Sequence, residues 1–162
     1  MAGVRQTLSK LAYRMIDATR SSAAFEAARR PATAVDLSGF TRARQCLLVT
    51  FKRSGQPVPS PVNFGLADGK LYLRTDGTTA KVKRLRHDPH AVVVPCNLRG
   101  TPTGTAVDAT ARILPDNETT TAEAIIAPNW TPGMRILERG LDHAARPFDI
   151  PIVHIEVTPG AP

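Results

Sequence analysis

The chain has 162 residues, 42% of them hydrophobic, and a formal net charge of +7. That length suits a domain with a core of its own, and the composition excludes a disordered polymer. The positive balance suits an anionic partner, either nucleic acid, an anionic membrane surface or a polyanionic small molecule; an aromatic content of 5% counts against single-stranded nucleic acid, whose bases stack on aromatic rings.

The first segment, Val4 to Arg30, reads as a helix with Leu8, Leu11, Ala12, Met15, Ile16 and Thr19 on one face. Its arginines permit a transit peptide or contact with an anionic membrane, although Asp17 and Glu26 weaken the transit reading. The preferred reading is a helix packed on this chain or on a partner subunit. Pro31-Ala32-Thr33 ends it. Leu37 to Arg44 is a short helical lead-in with Asp36 or Ser38 as cap.

Gln45 to Phe51 reads as a buried strand, and Arg53-Ser54-Gly55-Gln56 as a hairpin turn. Val58 to Leu66 is a second strand. Its Pro59 and Pro61 cannot donate to a ladder, so part of it belongs at an edge or bulge. Asp68-Gly69 turns the chain into a third strand, Lys70 to Thr75.

After the turn Thr75-Asp76-Gly77-Thr78 comes a basic helix from about Thr79 to Arg86, carrying Lys81, Lys83, Arg84 and Arg86. Asp88-Pro89 stops it. His90 to Pro95 is a buried strand, Asn97 to Gly104 an irregular loop, and Thr105 to Leu114 an alternating strand. Glu118 to Leu141 reads as two helices broken by Pro128 and Pro132-Gly133. Ile152 to Val157 is the last strand, with Val153, Ile155 and Val157 facing in and His154 and Glu156 facing out. Short antiparallel strands with one inserted helix and a late helical pair suggest a small β-barrel with helices. The expected division is a helical extension over residues 1–35, a barrel over 36–158 and a tail over 159–162.

Cys46 and Cys96 lie in or beside apolar runs and read as buried thiols. The four histidines are scattered and none pairs with a cysteine at metal-ligand spacing. No run approaches the ~18 apolar residues of a spanning helix, and a cytoplasmic place is the default expectation. A nucleophile elbow, a phosphate-binding P-loop and a close carboxylate pair are all missing from the sequence. An enzymatic reading therefore points to borrowed chemistry, in which a cofactor reacts and the protein positions it.

Three stretches are candidates for holding it. Ser60-Pro61-Val62-Asn63, on the proline-interrupted strand, offers backbone groups and an amide to the polar edge of a planar ring, or is an ordinary edge strand. Arg74-Thr75 with Thr79-Ala80-Lys81 and Arg84 offers hydroxyls, helix-start N–H groups and cations to a phosphate, or is a solvated basic face. Asn97 and Arg99, on a glycine-kinked loop, suit a ligand contact, a subunit interface or a plain connection.

The order and spacing of Val58-x-x-x-Val62-x-Phe64, Asp68-Gly69-Lys70-Leu71-Tyr72-x-Arg74-Thr75 and Ala80-Lys81-Val82-x-Arg84-Leu85-x-x-Asp88-Pro89 resemble the pyridoxamine 5'-phosphate oxidase-like family. Within it, the chain is most similar to the actinobacterial branch that uses coenzyme F420, a deazaflavin with a phosphate and a polyglutamate tail. The resemblance spans about Thr41 to Ile113 and the final strand. It implies a mainly β (α+β) split β-barrel of about six antiparallel strands with flanking helices. It also implies a homodimer with cofactor sites at the subunit interface.

By position, Ser60, Pro61, Val62 and Asn63 would face the ring. Arg74, Thr75, Thr79, Ala80, Lys81 and Arg84 would follow the phosphate-bearing chain, and Asn97 and Arg99 would reach in from the second subunit. The implied activity is hydride transfer from reduced F420 to an electron-poor small molecule such as an enone, a quinone or a tetrapyrrole. Four other readings stand beside it: an FMN-binding oxidase or reductase of the same fold, a non-catalytic F420 carrier, a membrane-associated module using the N-terminal helix and, least favoured, nucleic-acid binding through the +7 charge.

Overall fold

The computed structural model describes residues 22–133, 135–136 and 151–160. Six strands form a closed antiparallel barrel in the order β1-β2-β3-β6-β5-β4. They are β1 (Gln45–Phe51), β2 (Pro57–Ala67), β3 (Lys70–Asp76), β4 (His90–Cys96), β5 (Val107–Ile113) and β6 (Ile152–Pro159). The mainly β split-barrel architecture expected from the sequence is therefore what the chain forms. Strand periodicity explains it: Val107, Ala109 and Ala111 are buried while Asp108, Thr110 and Arg112 are exposed. Cys46, Leu48, Val62, Phe64, Leu71, Leu73, Val93, Ile155 and Val157 fill the interior from the other strands.

Three helices matter to the site. α1 (Ser22–Ala27) sets Ala24 and Ala27, with Ala28 just beyond it, against Leu47, Val49, Val92 and Val94 on the outer face of β1 and β4. α2 (Ala80–His87) is the basic helix, and its Val82 and Leu85 join the interior cluster and close one barrel end. α3 (Thr119–Ile126) packs on the outer face of β2, β3 and β6, and its Ala122 and Ile126, four apart, face inward. The predicted face from Leu8 to Thr19 lies outside the described residues. So does most of the second late helix towards Leu141, although residues 132–133 and 135–136 are helical.

β2 changes partner along its length. Pro57 to Asn63 pair with β1, whereas Phe64 to Ala67 pair with β3. The three prolines of β2 are tolerated because that stretch has a strand on one side only. β3 in turn keeps β6 but has no β2 partner over Arg74 to Asp76. The barrel is thus open in its ladder between the first half of β2 and the end of β3, as the prolines foretold.

Some expectations need correction. β2, β3 and β4 extend one or two residues further than their patterns suggested, and β5 starts at Val107 rather than Thr105. β6 runs to Pro159, because Thr158 and Pro159 still pair with β5. His154 does leave the barrel interior, but it does not meet solvent: α3 roofs that face, and only 5% of the residue is exposed.

α3 sits so close to β2 that one glycine decides whether it can dock. A Cβ on Gly65 would overlap the Ile125 carbonyl and lie 2.8 Å from the Ile126 Cα. Backbone cannot yield as a flexible side chain can. Gly65→Ala should lower stability by about 1–3 kcal/mol in a urea melt. A change below about 0.5 kcal/mol, the size of an ordinary surface substitution, would mean that α3 does not rest on this strand.

Candidate cofactor site

The turn from β3 into α2 is built locally. The Asp76 carboxylate accepts from the Thr78 N–H and from the Thr78 hydroxyl, both at 2.6 Å. The Thr79 hydroxyl donates to the Asp76 carbonyl at 2.8 Å. Thr79 then stands at the N-cap position of α2 in an extended conformation, without a side-chain bond to the helix N–H groups. The helix begins directly at the ladder gap and presents Lys81, Lys83, Arg84 and Arg86 within two turns.

Arg84 is drawn inward. Its Nε donates to the Thr50 Oγ at 2.7 Å, and Thr50 is fully buried on the inner face of β1 opposite Val58. Ser60, also buried, lies on that same inner face of β2 opposite Leu48. Two hydroxyls and a guanidinium thus gather at the barrel end that α2 closes, beside the unpaired edge of β2.

The strand period divides the predicted ring-facing set. Ser60 and Val62 point into the barrel, whereas Pro61 and Asn63 point out. Four consecutive side chains on a strand cannot face one ligand, so only the backbone of this segment runs along the gap as a whole. The Asn63 Oδ1 accepts from the Gln45 Nε2 at 2.9 Å.

The predicted phosphate set divides too. Thr75 lies on the inner side of β3. Arg74 lies on the outer side, with its Nε 2.8 Å from the Glu123 carboxylate on α3 and its guanidinium 5.9 Å from the Trp130 ring centre. Thr79, Ala80, Lys81 and Arg84 stay together on α2.

Asn97 organises its own loop, its Oδ1 accepting from the N–H groups of Arg99 and Thr101. Gly100, at φ +73°, brings that loop onto Pro61: a Cβ there would sit 3.1 Å from the Pro61 Cγ. Asn97 and Arg99 are exposed and Leu98 is 72% exposed. The loop therefore lies over the outer side of β2, away from the inward-facing Ser60 and Val62.

Sequence reasoning missed the partners of Arg74. His154 lies opposite Arg74 in the β3–β6 register, and its Nε2 is 2.8 Å from the same Glu123 oxygen. Asn129 ties the turn after α3 to β2, donating to the Phe64 carbonyl at 2.7 Å and accepting from Arg44 at 3.0 Å. That contact places Trp130 where β3 parts from β2. The available signal was the Ala122–Ile126 spacing: an apolar stripe must cover something, and the polar side chains of the face it covers become buried.

The His154 hydrogen bond, and then the Arg74 charge, hold the Glu123 carboxyl below the usual carboxylate range. Burial pushes the Cys96 thiol up to about 12 and raises Cys46 as well. Both are free, buried thiols, as expected. Among the described residues, no group of three or more metal-ligating side chains is present. A separate cavity of about 320 Å³ lies between the Phe40 turn, the second half of β2 and the end of α3, lined by Phe40, Phe64, Ile125 and Asn129 among others.

A family model described as pyridoxamine 5'-phosphate oxidase matches residues 37–139. The chain belongs to that family. No curated protein matches the sequence. Among solved structures, an FAD-binding protein from Mesorhizobium loti is similar at 19% identity and a TM-score of 0.51, over 74% of this chain and 82% of that one. A putative 5-nitroimidazole antibiotic resistance protein from Bacteroides thetaiotaomicron is similar at 16% identity and a TM-score of 0.53, over 73% and 74%. A heme binding protein from Mycobacterium smegmatis gives 21% identity and a TM-score of 0.50, over 86% of this chain and 51% of that one. At these identities the likeness is one of fold.

The family implies a flavin-type cofactor, and the donor set at the gap suits its phosphate. Lysine and arginine side chains and threonine hydroxyls are charged and neutral donors of the kind phosphate oxygens require.

The depressed Glu123 has a signed consequence. Its folded carboxyl is more acidic than its unfolded one, so its contribution is present above the ordinary carboxylate range and lost as pH falls through the folded value. Glu123→Gln should cost about 1 kcal/mol at pH 7, kept small by its partial exposure. In urea melts the difference from wild type should shrink towards pH 3, whereas a constant difference would show that the carboxylate charge is not what stabilises α3.

Proposed function

We propose that the chain is an F420-dependent reductase of the pyridoxamine 5'-phosphate oxidase family, holding its cofactor along the ladder gap and the start of α2. One observation carries the reading: the barrel opens between β2 and β3 at the point where a helix with four cations begins. The backbone edge of Pro57 to Asn63 has no strand across from it, and a planar heterocycle with polar edges suits such an edge. Thr79, Lys81 and Arg84 would hold the phosphate, and Lys83 and Arg86 extend positive charge along the helix. That charge exceeds what one phosphate calls for, which favours a cofactor with a further anionic tail.

When bound, the reduced deazaflavin supplies a hydride to an electron-poor acceptor, an enone, quinone or tetrapyrrole-like molecule. The chain's own contribution is proximity, orientation and charge complementarity. In this proposal a second copy completes each site, with the exposed Asn97–Arg99 loop reaching across the interface. FMN in the same gap is the second reading, and the FAD-binding protein of this fold from Mesorhizobium loti favours it.

Titration of the purified protein with F420 and, separately, FMN separates the two. F420 should quench fluorescence at micromolar concentration or below, with affinity weakened by added salt. Lys81→Ala should weaken F420 binding about tenfold, the size of one charged contact, with an unchanged melting temperature. Unchanged affinity would remove Lys81 from the site, and preferential FMN binding would move the protein to the flavin reading.

A further inference from the structure

The two ends of β2 fix which way its backbone groups point. In an antiparallel pair the N–H and C=O of one residue address the same neighbouring strand, and those of the next residue address the opposite side. Just before β2 the Lys52 N–H donates to the Gln56 carbonyl at 3.0 Å, so Gln56 faces β1. At the far end Ala67 and Lys70 are partners across the turn Asp68-Gly69 and exchange bonds, so Ala67 faces β3. Both ends give the same alternation. Val58, Ser60 and Val62 address β1, whereas Pro57, Pro59, Pro61 and Asn63 address the ladder gap.

Three of those four residues have no N–H. From Pro57 to Pro61 the edge of β2 turns only carbonyls to the gap, and Asn63 brings its one main-chain donor. An incoming strand needs an N–H from each residue that faces it, and over this stretch it would find none. The edge therefore refuses a strand from a second copy or from another chain. It suits a flat ligand that brings hydrogen to the carbonyls.

The gap has a cationic end. Arg84 reaches Thr50, which lies opposite Val58. Pro61 is three residues further along the strand, about 10 Å away at the strand rise. A ring tethered there by its phosphate meets the edge of β2 near Pro61. An oxidised flavin carries a bare nitrogen, N5, on its central ring, and a 5-deazaflavin carries C–H in that place. A carbonyl tolerates C–H, whereas a carbonyl against a lone pair leaves both acceptors without a donor.

We propose that the proline carbonyls of β2, that of Pro61 above all, determine which cofactor ring the gap accepts. They select a ring that turns hydrogen to the strand and reject one that turns a lone pair to it. This rests on the cofactor site proposed above and adds a selecting group that is independent of charge.

FMN and 5-deaza-FMN share phosphate, chain and charge and differ only in N5 against C–H. The ratio of their affinities therefore reads this edge apart from the basic helix. Wild type should bind oxidised 5-deaza-FMN about tenfold more tightly than oxidised FMN, the size of one acceptor left without a donor. Pro61→Ala and Pro61→Val each add an N–H at the gap and should bring the ratio towards one, chiefly through tighter FMN binding. The Pro61 side chain points out, towards the loop at Gly100. Alanine empties that contact and valine fills it, so an equal effect of the two belongs to the N–H.

A wild-type ratio near one, or a preference for FMN, overturns the inference whether or not the variants fold. So does a tenfold ratio that both variants keep, or one that falls in Pro61→Ala alone, which is a packing effect. Each of these leaves the cofactor site standing. Binding of neither compound, nor of F420, by wild type overturns the site itself.

Discussion

A change of partner within β2 governs the rest of this molecule. From Pro57 to Asn63 the strand is bonded to β1 alone, and from Phe64 onward it turns to β3. Prolines at alternate positions withhold donors from one edge, so the first half of β2 cannot become a central strand. The sheet then closes around the other side, through β6, β5 and β4. What remains is a barrel with an unpaired seam between the first half of β2 and the end of β3.

Two helices treat that seam differently. α2 starts just after the end of β3, seals the barrel end with Val82 and Leu85, and directs Arg84 to buried Thr50. α3 covers the outer face and presses directly on Gly65. The turn after it brings Asn129 to the Phe64 carbonyl and Trp130 to Arg74. One side of the seam is thus basic, while the other is a compact ion-paired layer. In the proposed reading the phosphate lies at α2, while Arg74 is paired with Glu123.

The strands were legible because their burial alternates with period two, and β5 is the clearest case. The edge character of β2 was legible from Pro59 and Pro61, since proline has one consequence for a ladder wherever the strand is placed. The basic helix was legible from Val82 and Leu85 with its stop at Asp88-Pro89. Other features were hidden for a physical reason. Ser60 and Asn63 seemed equivalent in a linear motif, yet the pleat sends them to opposite faces. His154 alternated outward as the pattern demanded, but its burial depends on α3, more than twenty residues earlier in the chain. Glu123 carries no local sign that it meets Arg74, because that contact is made only when the helix docks on the sheet. The candidate site was therefore legible as a set of residue types, and its division into an inner and an outer group was not.

The central claim is that the seam and the start of α2 receive the cofactor. Hydrogen–deuterium exchange with and without F420, and with and without FMN, tests it at the level of the backbone. The account predicts slower exchange on binding at the N–H groups of Asn63 and Thr75 and of Thr79 to Lys81. Protection confined instead to the cavity around Phe40, Phe64 and Ile125, with the seam unchanged, would contradict it.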